Sequence, residues 1–258
     1  MPSIEFKVDK WKMHRFYSKN PAIAKYLPPT KPFTPQTLST FINQYKSVYI
    51  KAARVHTGRG IVKAWKSGDG YRFIKIKGTA QAASSIQELY RKVKQALPMR
   101  SIIIQKAIDL AVINNRPFDI RVMMLRDAKR SWHYGGMVAK VAGSSSIISN
   151  VRRGGGYVLP IEDALRRSLS YNKERTVKIK RNLVRLSRNI IHYSEKYPFF
   201  SYQSGLDLAI DKEGNIWIIE VNLYDPSHGL FKKLKDKTYY KRIRRLYRSY
   251  RMHNARLV

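Results

Sequence analysis

The stretch from Gly205 to Asn222, GLDLAIDKEGNIWIIEVN, constrains the fold more than any other part of the chain. Two apolar runs flank Asp211-Lys-Glu-Gly-Asn215, a cluster of residues that favour tight reversal, so the segment reads as a β-hairpin. Centring the turn between Glu213 and Gly214 places Asp207 opposite Glu220. Side chains alternate along a strand, so Glu220 and Asn222 share a face. Directly opposed Cβ atoms lie ~4.5–5.5 Å apart, where two carboxylates repel unless a cation neutralises them. Carboxylate and amide oxygens are the donors that Mg²⁺ takes. The hairpin therefore predicts a packed strand pair in which Asp207, Glu220 and Asn222 ligate metal. A surface hairpin with its acids in water is the alternative, and the surrounding Ile, Leu and Trp argue against it.

The rest of the chain can support such packing. Its 258 residues are 43% hydrophobic and 12% aromatic, enough for one large domain or two interleaved lobes. There are no cysteines, which excludes disulfides, thiolate metal sites and a cysteine nucleophile. The N-terminus has no apolar signal core, and no apolar run approaches the ~18 residues that span a bilayer, so a soluble cytoplasmic protein is expected. Lys and Arg total 51 against 17 Asp and Glu, a formal charge of +34. Such an excess draws polyanions without selecting among them. An acidic peptide or protein, an anionic polymer, nucleic acid and an anionic membrane face are all compatible.

Periodicity predicts helices over 9–25, 37–45, 84–96 and 161–196, the last interrupted near Ser170-Tyr-Asn172. Strands are expected over 47–51, 61–66, 71–77, 101–105, 118–126 and 132–141, with 26–32 an extended Pro-rich connector. From Phe231 onward, Tyr239, Ile243, Leu246, Tyr247 and Tyr250 fall at helical spacing, with Lys and Arg on the other face. Helices and strands mix without strict alternation, which points to an α+β fold.

Polar signals recur at strand ends. Lys51 closes an apolar strand ahead of His56-Thr-Gly-Arg-Gly60, and a lysine beside a glycine turn suits phosphate oxygens. That turn lacks full P-loop spacing, and one lysine among 51 basic residues is as readily a solvated charge. Asp119 and Arg121, in Phe118-Asp-Ile-Arg-Val122, alternate onto one face as either a structural ion pair or a functional one. Ser149-Asn-Val-Arg-Arg-Gly-Gly-Gly156 sets an amide and two guanidiniums beside three glycines, a set suited to an anion or a phosphoryl group. The six histidines show no metal-ligand spacing.

Taken in order, Lys51 with Thr57-Gly-Arg-Gly60, Gln105-Lys-Ala-Ile108, Phe118-Asp-Ile-Arg121, Ser149-Asn-Val-Arg-Arg-Gly-Gly155, and Asp207 with Glu220-Val-Asn222 resemble an ATP-grasp protein. The set looks most like the endospore coat-associated YheC/YheD group. It is more distantly similar to ribosomal-protein glutamate ligases, through the Asp-Ile-Arg strand and the Ser-Asn-x-x-Arg-Gly-Gly segment. The resemblance implies an α+β ATP-grasp fold, two lobes enclosing the nucleotide, with no N-terminal pre-ATP-grasp domain. Residues 1–230 would form the ATP-grasp domain, and 231–258 a basic C-terminal helical extension packed on it.

By the same resemblance, ATP would lie with Lys10 and Lys51 on its phosphates and the Gly58-Arg59-Gly60 loop over them. Gln105 would end the strand whose next backbone groups, at Lys106 and Ile108, contact adenine. Asp207, Glu220 and Asn222 would hold one or two Mg²⁺ ions, with Mn²⁺ as the substitute. Arg121, Asn150 and Arg153 would face the transferred phosphoryl group. The implied reaction is ATP-dependent carboxylate–amine ligation through an acyl-phosphate, which needs no side-chain nucleophile. Location would be cytoplasmic, with spore association. Two departures stand out: Ala52 occupies a position where many relatives carry proline, and Pro226 falls one residue later after Asn222 than expected.

Two other readings stay open. One is an ATP-grasp kinase that leaves phosphate on its acceptor. The other is a basic polyanion- or nucleic-acid-binding protein with a vestigial nucleotide site. Tyrosines interleaved with Arg242, Arg244, Arg245, Arg248 and Arg251 favour the latter. The plainer reading of that helix packs its tyrosines on the core and leaves its arginines in water.

Overall fold

A computed structural model describes residues 9–54, 60–75, 78–143 and 155–254. In chain order its elements begin α1 (Lys10–Ser18), α2 (Pro21–Ala24), β1 (Thr30–Pro32), α3 (Pro35–Gln44), β2 (Ser47–Ala52), β3 (Ile61–Ser67) and β4 (Gly70–Lys75). There follow β5 (Gln81–Ala83), α4 (Ile86–Ala96), β6 (Ile102–Lys106), β7 (Val112–Ile113), β8 (Arg116–Arg126), β9 (Trp132–Val141) and β10 (Tyr157–Leu159). The chain continues with α5 (Ile161–Leu169), α6 (Lys173–Ser194), β11 (Gln203–Ile210), β12 (Ile216–Asn222), α7 (Gly229–Lys232) and α8 (Thr238–His253).

The expected helix over 9–25 is two helices. Asn20 Oδ1 accepts the Ala22 N–H and Pro21 sits at the first helical position, so the sequence caps a new helix there. Ser170, in the left-handed region at φ 53°, separates α5 from α6, and Asn172 caps the second. The supposed connector over 26–32 contains β1, which pairs with the end of β6.

The chain forms two units. The first takes in residues up to Ser18 and Pro28–Ile108, the second Lys19–Leu27 and most of the chain from Asp109 onward. In the first unit six strands run in the order β1-β6-β2-β3-β4-β5, with every pairing antiparallel. Strand alternation divides its residues between two faces. Val48, Ile50, Val62, Ala64, Phe73, Ile102 and Ile104 are buried against Leu38, Phe41 and Ile42 of α3 and Leu89 and Val93 of α4. The opposite face carries a row across four strands, Thr30, Gln105, Tyr49 and Lys63, with Lys51 two residues along from Tyr49.

The second unit has a sheet ordered β10-β9-β8-β11-β12, with β7 paired to β8. Every residue of β11 is buried, so both faces of the sheet are covered there. Met123, Leu125 and Val138 pack against Phe231 and Leu234 from the α7 region and Ile243 of α8. The alternate residues Ile120, Val122, Ala139, Leu206 and Leu208 are fully buried on the other face, which α6 covers with Leu183, Leu186, Ile190 and Ile191. The tyrosines of α8 turn inward. Tyr250 is fully buried and stacks on Tyr202, while Tyr239, Tyr240 and Tyr247 lie against the core.

Candidate functional site

The polar row on the first unit's sheet is built by register. Tyr49 lies opposite Gln105 on one side and Lys63 on the other. Lys51 Nζ donates to Gln105 Oε1 at 2.6 Å, Gln105 Nε2 donates to Thr30 Oγ1 at 2.9 Å, and Thr30 Oγ1 donates to Pro28 O at 2.8 Å. The chain of bonds ties the lysine to a buried amide and leaves it little rotamer freedom. Tyr49, whose ring centre is 5.4 Å from Lys51 Nζ, is pushed by burial up to about 12 and stays neutral.

Lys10 opens α1, and its N–H donates to Ala53 O, just past Lys51. Asp9 caps that helix, accepting the N–H groups of Trp11 and Lys12 on Oδ1 and Arg54 Nε on Oδ2. At the far end of the row, the Lys106 N–H donates to Pro29 O and the Ala107 N–H to Ser47 O, which fixes the chain leading to Ile108. Gly60 sits at φ 69°, a conformation that strains any residue with a Cβ, and its carbonyl accepts the Ala52 N–H. Gly58 and Arg59 lie outside the described residues, as do Asn150 and Arg153.

In the second unit Asp207 pairs with Arg121 on β8 and with Glu220 on β12, as turn counting predicts. The route to that register differs from the expectation. The turn is centred on Glu213, since Ile210 opposes Ile216, and this frame alone would set Asp207 opposite Ile219. A β-bulge intervenes: Leu208 pairs with Ile218 and Asp207 with Glu220, leaving Ile219 as the extra residue. A one-residue slip exchanges the faces of a strand, so the bulge brings Glu220 onto the face of Asp207. Gly205 opposes Asn222 two residues along.

That face holds a buried charge cluster. Arg121 grips Asp207 bidentately, Nε to Oδ1 at 2.7 Å and Nη2 to Oδ2 at 2.9 Å. Lys140, which β9 sets opposite Asp119, donates to Asp207 Oδ1 at 2.9 Å and lies 2.9 Å from Asp119 Oδ1. Burial alone would raise the pKa of Asp207, but the Arg121 and Lys140 charges hold it well below the usual carboxylate range. Burial alone would lower that of Lys140, yet the charges of Asp119 and Asp207 prevail and raise it. Two acids and two bases thus balance in a low-dielectric site. Gly205 makes room for the arrangement: a Cβ there would fall 2.7 Å from Pro226 Cβ and 3.1 Å from Arg121 Nη1.

A profile of the YheC/D like ATP-grasp family matches residues 5–253. The chain belongs to this family. Endospore coat-associated protein YheD of Bacillus subtilis is 26% identical over 223 residues, covering 83% of this chain and 47% of that protein. Endospore coat-associated protein YheC of the same organism is 22% identical over 219 residues, covering 83% of this chain and 59% of that protein. The chain thus spans about half the length of these curated relatives. D-alanyl-alanine synthetase A from Vibrio cholerae superposes with a TM-score of 0.55 over 95% of this chain and 65% of its own, at 12% identity. That likeness shows the ATP-grasp fold, and the α+β fold expected from the sequence is the one found.

The donors on the second unit suit the Mg²⁺ that ATP-grasp enzymes use, for they are two opposed carboxylates and an amide. No cluster of three or more His, Cys, Asp or Glu that could hold a metal occurs among the described residues, and a set built on Asp207 and Glu220 would need the Asn222 amide as its third donor. Asn222 Oδ1 accepts the Tyr224 N–H and keeps a second lone pair. A carboxylate offers about four lone-pair positions. Three on Asp207 are taken by Arg121 and Lys140, which leaves one on Oδ2 for a cation. Lys140 escaped sequence reasoning because one lysine among 51 basic residues carries no signal until pairing sets it beside Asp119.

Proposed function

We propose that this YheC/D-like ATP-grasp protein is an ATP- and Mg²⁺-dependent ligase that joins a carboxylate to an amine through an acyl-phosphate. The observation that carries the reading is the buried Arg121–Asp207–Lys140–Asp119 cluster on the sheet face that also presents Glu220 and Asn222. Transfer of a phosphoryl group spreads negative charge over oxygens that fixed cations stabilise without reorganising. Arg121 is held in place for that role by its bidentate bond, and Asn150 and Arg153 join it. On the first unit, Lys51, Lys10 and the Gly58-Arg59-Gly60 loop take the phosphates. The strand end from Gln105 through Lys106 to Ile108 takes adenine. Asp207, Glu220 and Asn222 hold the metal, which supplies further charge neutralisation when bound. The curated relatives' names support a place at the endospore coat.

The test is phosphate release from ATP and Mg²⁺, screened across amino acids, acidic peptides and nucleic acids as acceptors. Glu220→Gln is expected to lower turnover at least ~10³-fold with the circular dichroism spectrum unchanged, as loss of a metal carboxylate removes transition-state charge stabilisation. Full activity in that variant sinks the assignment. Phosphate found on the acceptor instead of free in solution identifies a kinase.

A further inference from the structure

The charge excess of the chain has an address that the nucleotide and metal residues do not use. Helix α6 carries seven Lys and Arg in its 22 residues and a single acid, Glu174. Its buried residues, from Thr176 to Ser194, keep one side against the sheet. The other side is exposed, and Lys178, Arg181, Arg185, Arg188 and His192 recur along it at alternating steps of three and four. At 1.5 Å per residue the four Lys and Arg heads rise in steps of ~4.5–6 Å over ~15 Å, a straight cationic row that the His192 ring extends. A depression of about 580 Å³ lined by Val177, Arg181, Asn182 and Arg185, among others, runs beside its first half.

The row ends at an aromatic stack. Glu195, which caps α6, accepts Arg126 Nη2 at 2.8 Å and Trp132 Nε1 at 3.0 Å. The Arg126 guanidinium, further pinned by the carbonyls of Ser201 and Arg130, lies 4.5 Å from the Trp132 ring centre and 5.6 Å from that of Phe200. Phe200 is 52% exposed, so a ring backed by a fixed cation faces solvent. Helix α8 is as basic, but its tyrosines are spent on the core. The combination of spaced cations and an open ring is therefore a property of α6.

We propose that the outer side of α6, from Lys178 to His192 and on to Phe200, is a docking track for single-stranded nucleic acid. Phosphates lie along the cationic row, and an unstacked base lies on Phe200. An extended acidic peptide would use the guanidiniums and have no use for the ring. A duplex would keep its bases stacked away from it. Single strands use both, since base–aromatic stacking and backbone cations act together and independently of sequence. The track lies on the sheet face away from Arg121 and Asp207, so it is separable from catalysis by substitution.

The experiment is fluorescence anisotropy with a labelled 20-nucleotide oligo(dT), titrated with the full chain over a range of salt. Arg181→Glu, Arg185→Glu and Arg188→Glu together should raise Kd at least ~100-fold and flatten the salt slope by about 2, at ~0.7 per single-strand phosphate contact. The charge-matched set on α8, Lys241→Glu, Arg245→Glu and Arg248→Glu, should change Kd only a few-fold. Phe200→Ala should raise Kd about 5- to 100-fold with the slope unchanged. Equal weakening by the two triple variants overturns the proposal, because net charge then accounts for the binding. A neutral Phe200→Ala overturns it as well. So does competition by polyglutamate or by a duplex of equal length as effective as that by unlabelled oligo(dT).

Discussion

Lys140 is the most exacting place to perturb this protein. Its side chain is 9% exposed, those of Asp119 and Asp207 are 7% and 11% exposed, and the ammonium lies 2.9 Å from a carboxylate oxygen of each. Lys140→Met keeps much of the stem's volume and removes the charge, leaving two buried acids to share Arg121. Deleting one partner of a buried ion pair costs about 3–5 kcal/mol, since the other charge is stranded, and at this low exposure solvent does little to relieve it. For a chain of this size, each kcal/mol lowers Tm by roughly 2–4 °C, so a fall of about 6–20 °C is expected. Adding Asp119→Asn removes the stranded charge while the Arg121–Asp207 pair survives. The double variant should regain about 1–3 kcal/mol relative to the sum of the single losses. Urea unfolding followed by circular dichroism and tryptophan fluorescence measures all three variants. A loss under ~1 kcal/mol for Lys140→Met, or strict additivity in the double variant, would refute the view that the cluster is held by charge balance.

Other expectations follow from single contacts. Gly205→Ala forces a methyl to within 2.7 Å of Pro226 and 3.1 Å of Arg121, and should cost about 1–3 kcal/mol in urea unfolding while loosening the Arg121–Asp207 bond. The buried Tyr250 hydroxyl has no hydrogen-bond partner among the described residues, so Tyr250→Phe should be neutral or raise stability by about 1 kcal/mol. Glu88 is held at about 2 by its bond to Lys92 and by the hydroxyl and N–H of Ser84. With the folded value depressed, its contribution to stability is complete above the unfolded carboxylate range near ~4.3 and drains away as pH falls toward the folded value. An NMR titration of the Glu88 carboxyl that shows an ordinary midpoint would count against that set of bonds.

The strongest local signals in the sequence were those written by hydrophobic alternation. Phe118–Arg126 and Trp132–Val141 could be seen as a strand pair, and Asp119 with Arg121 as one face, because their apolar neighbours leave a single orientation. Short β5, β7 and β10, of two or three residues each, hold too few side chains to show a period. The break between α1 and α2 was written in Asn20-Pro21, a capping signal that the apolar period on either side obscured. Lys140 and the Gln105 bridge from Lys51 to Thr30 were invisible for another reason. Each joins positions far apart in the chain, 67 residues from Lys140 to Asp207 and 75 from Thr30 to Gln105, which only a settled sheet register brings together.

The bulge at Ile219 divides the hairpin into two mechanical parts. On the turn side, Asp211 gathers the Asn215 backbone and amide and the Trp217 indole into one knot. On the acid side, β11 is clamped between β8 and β12 through Asp207 and Gly205. The unpaired residue works as a vernier between them: the tip sets its own geometry, and the acids take their aim from the interior of the sheet. The turn and the acids are therefore held by separate sets of bonds on either side of the extra residue, the Asp211 knot on one side and the pairing with β8 on the other.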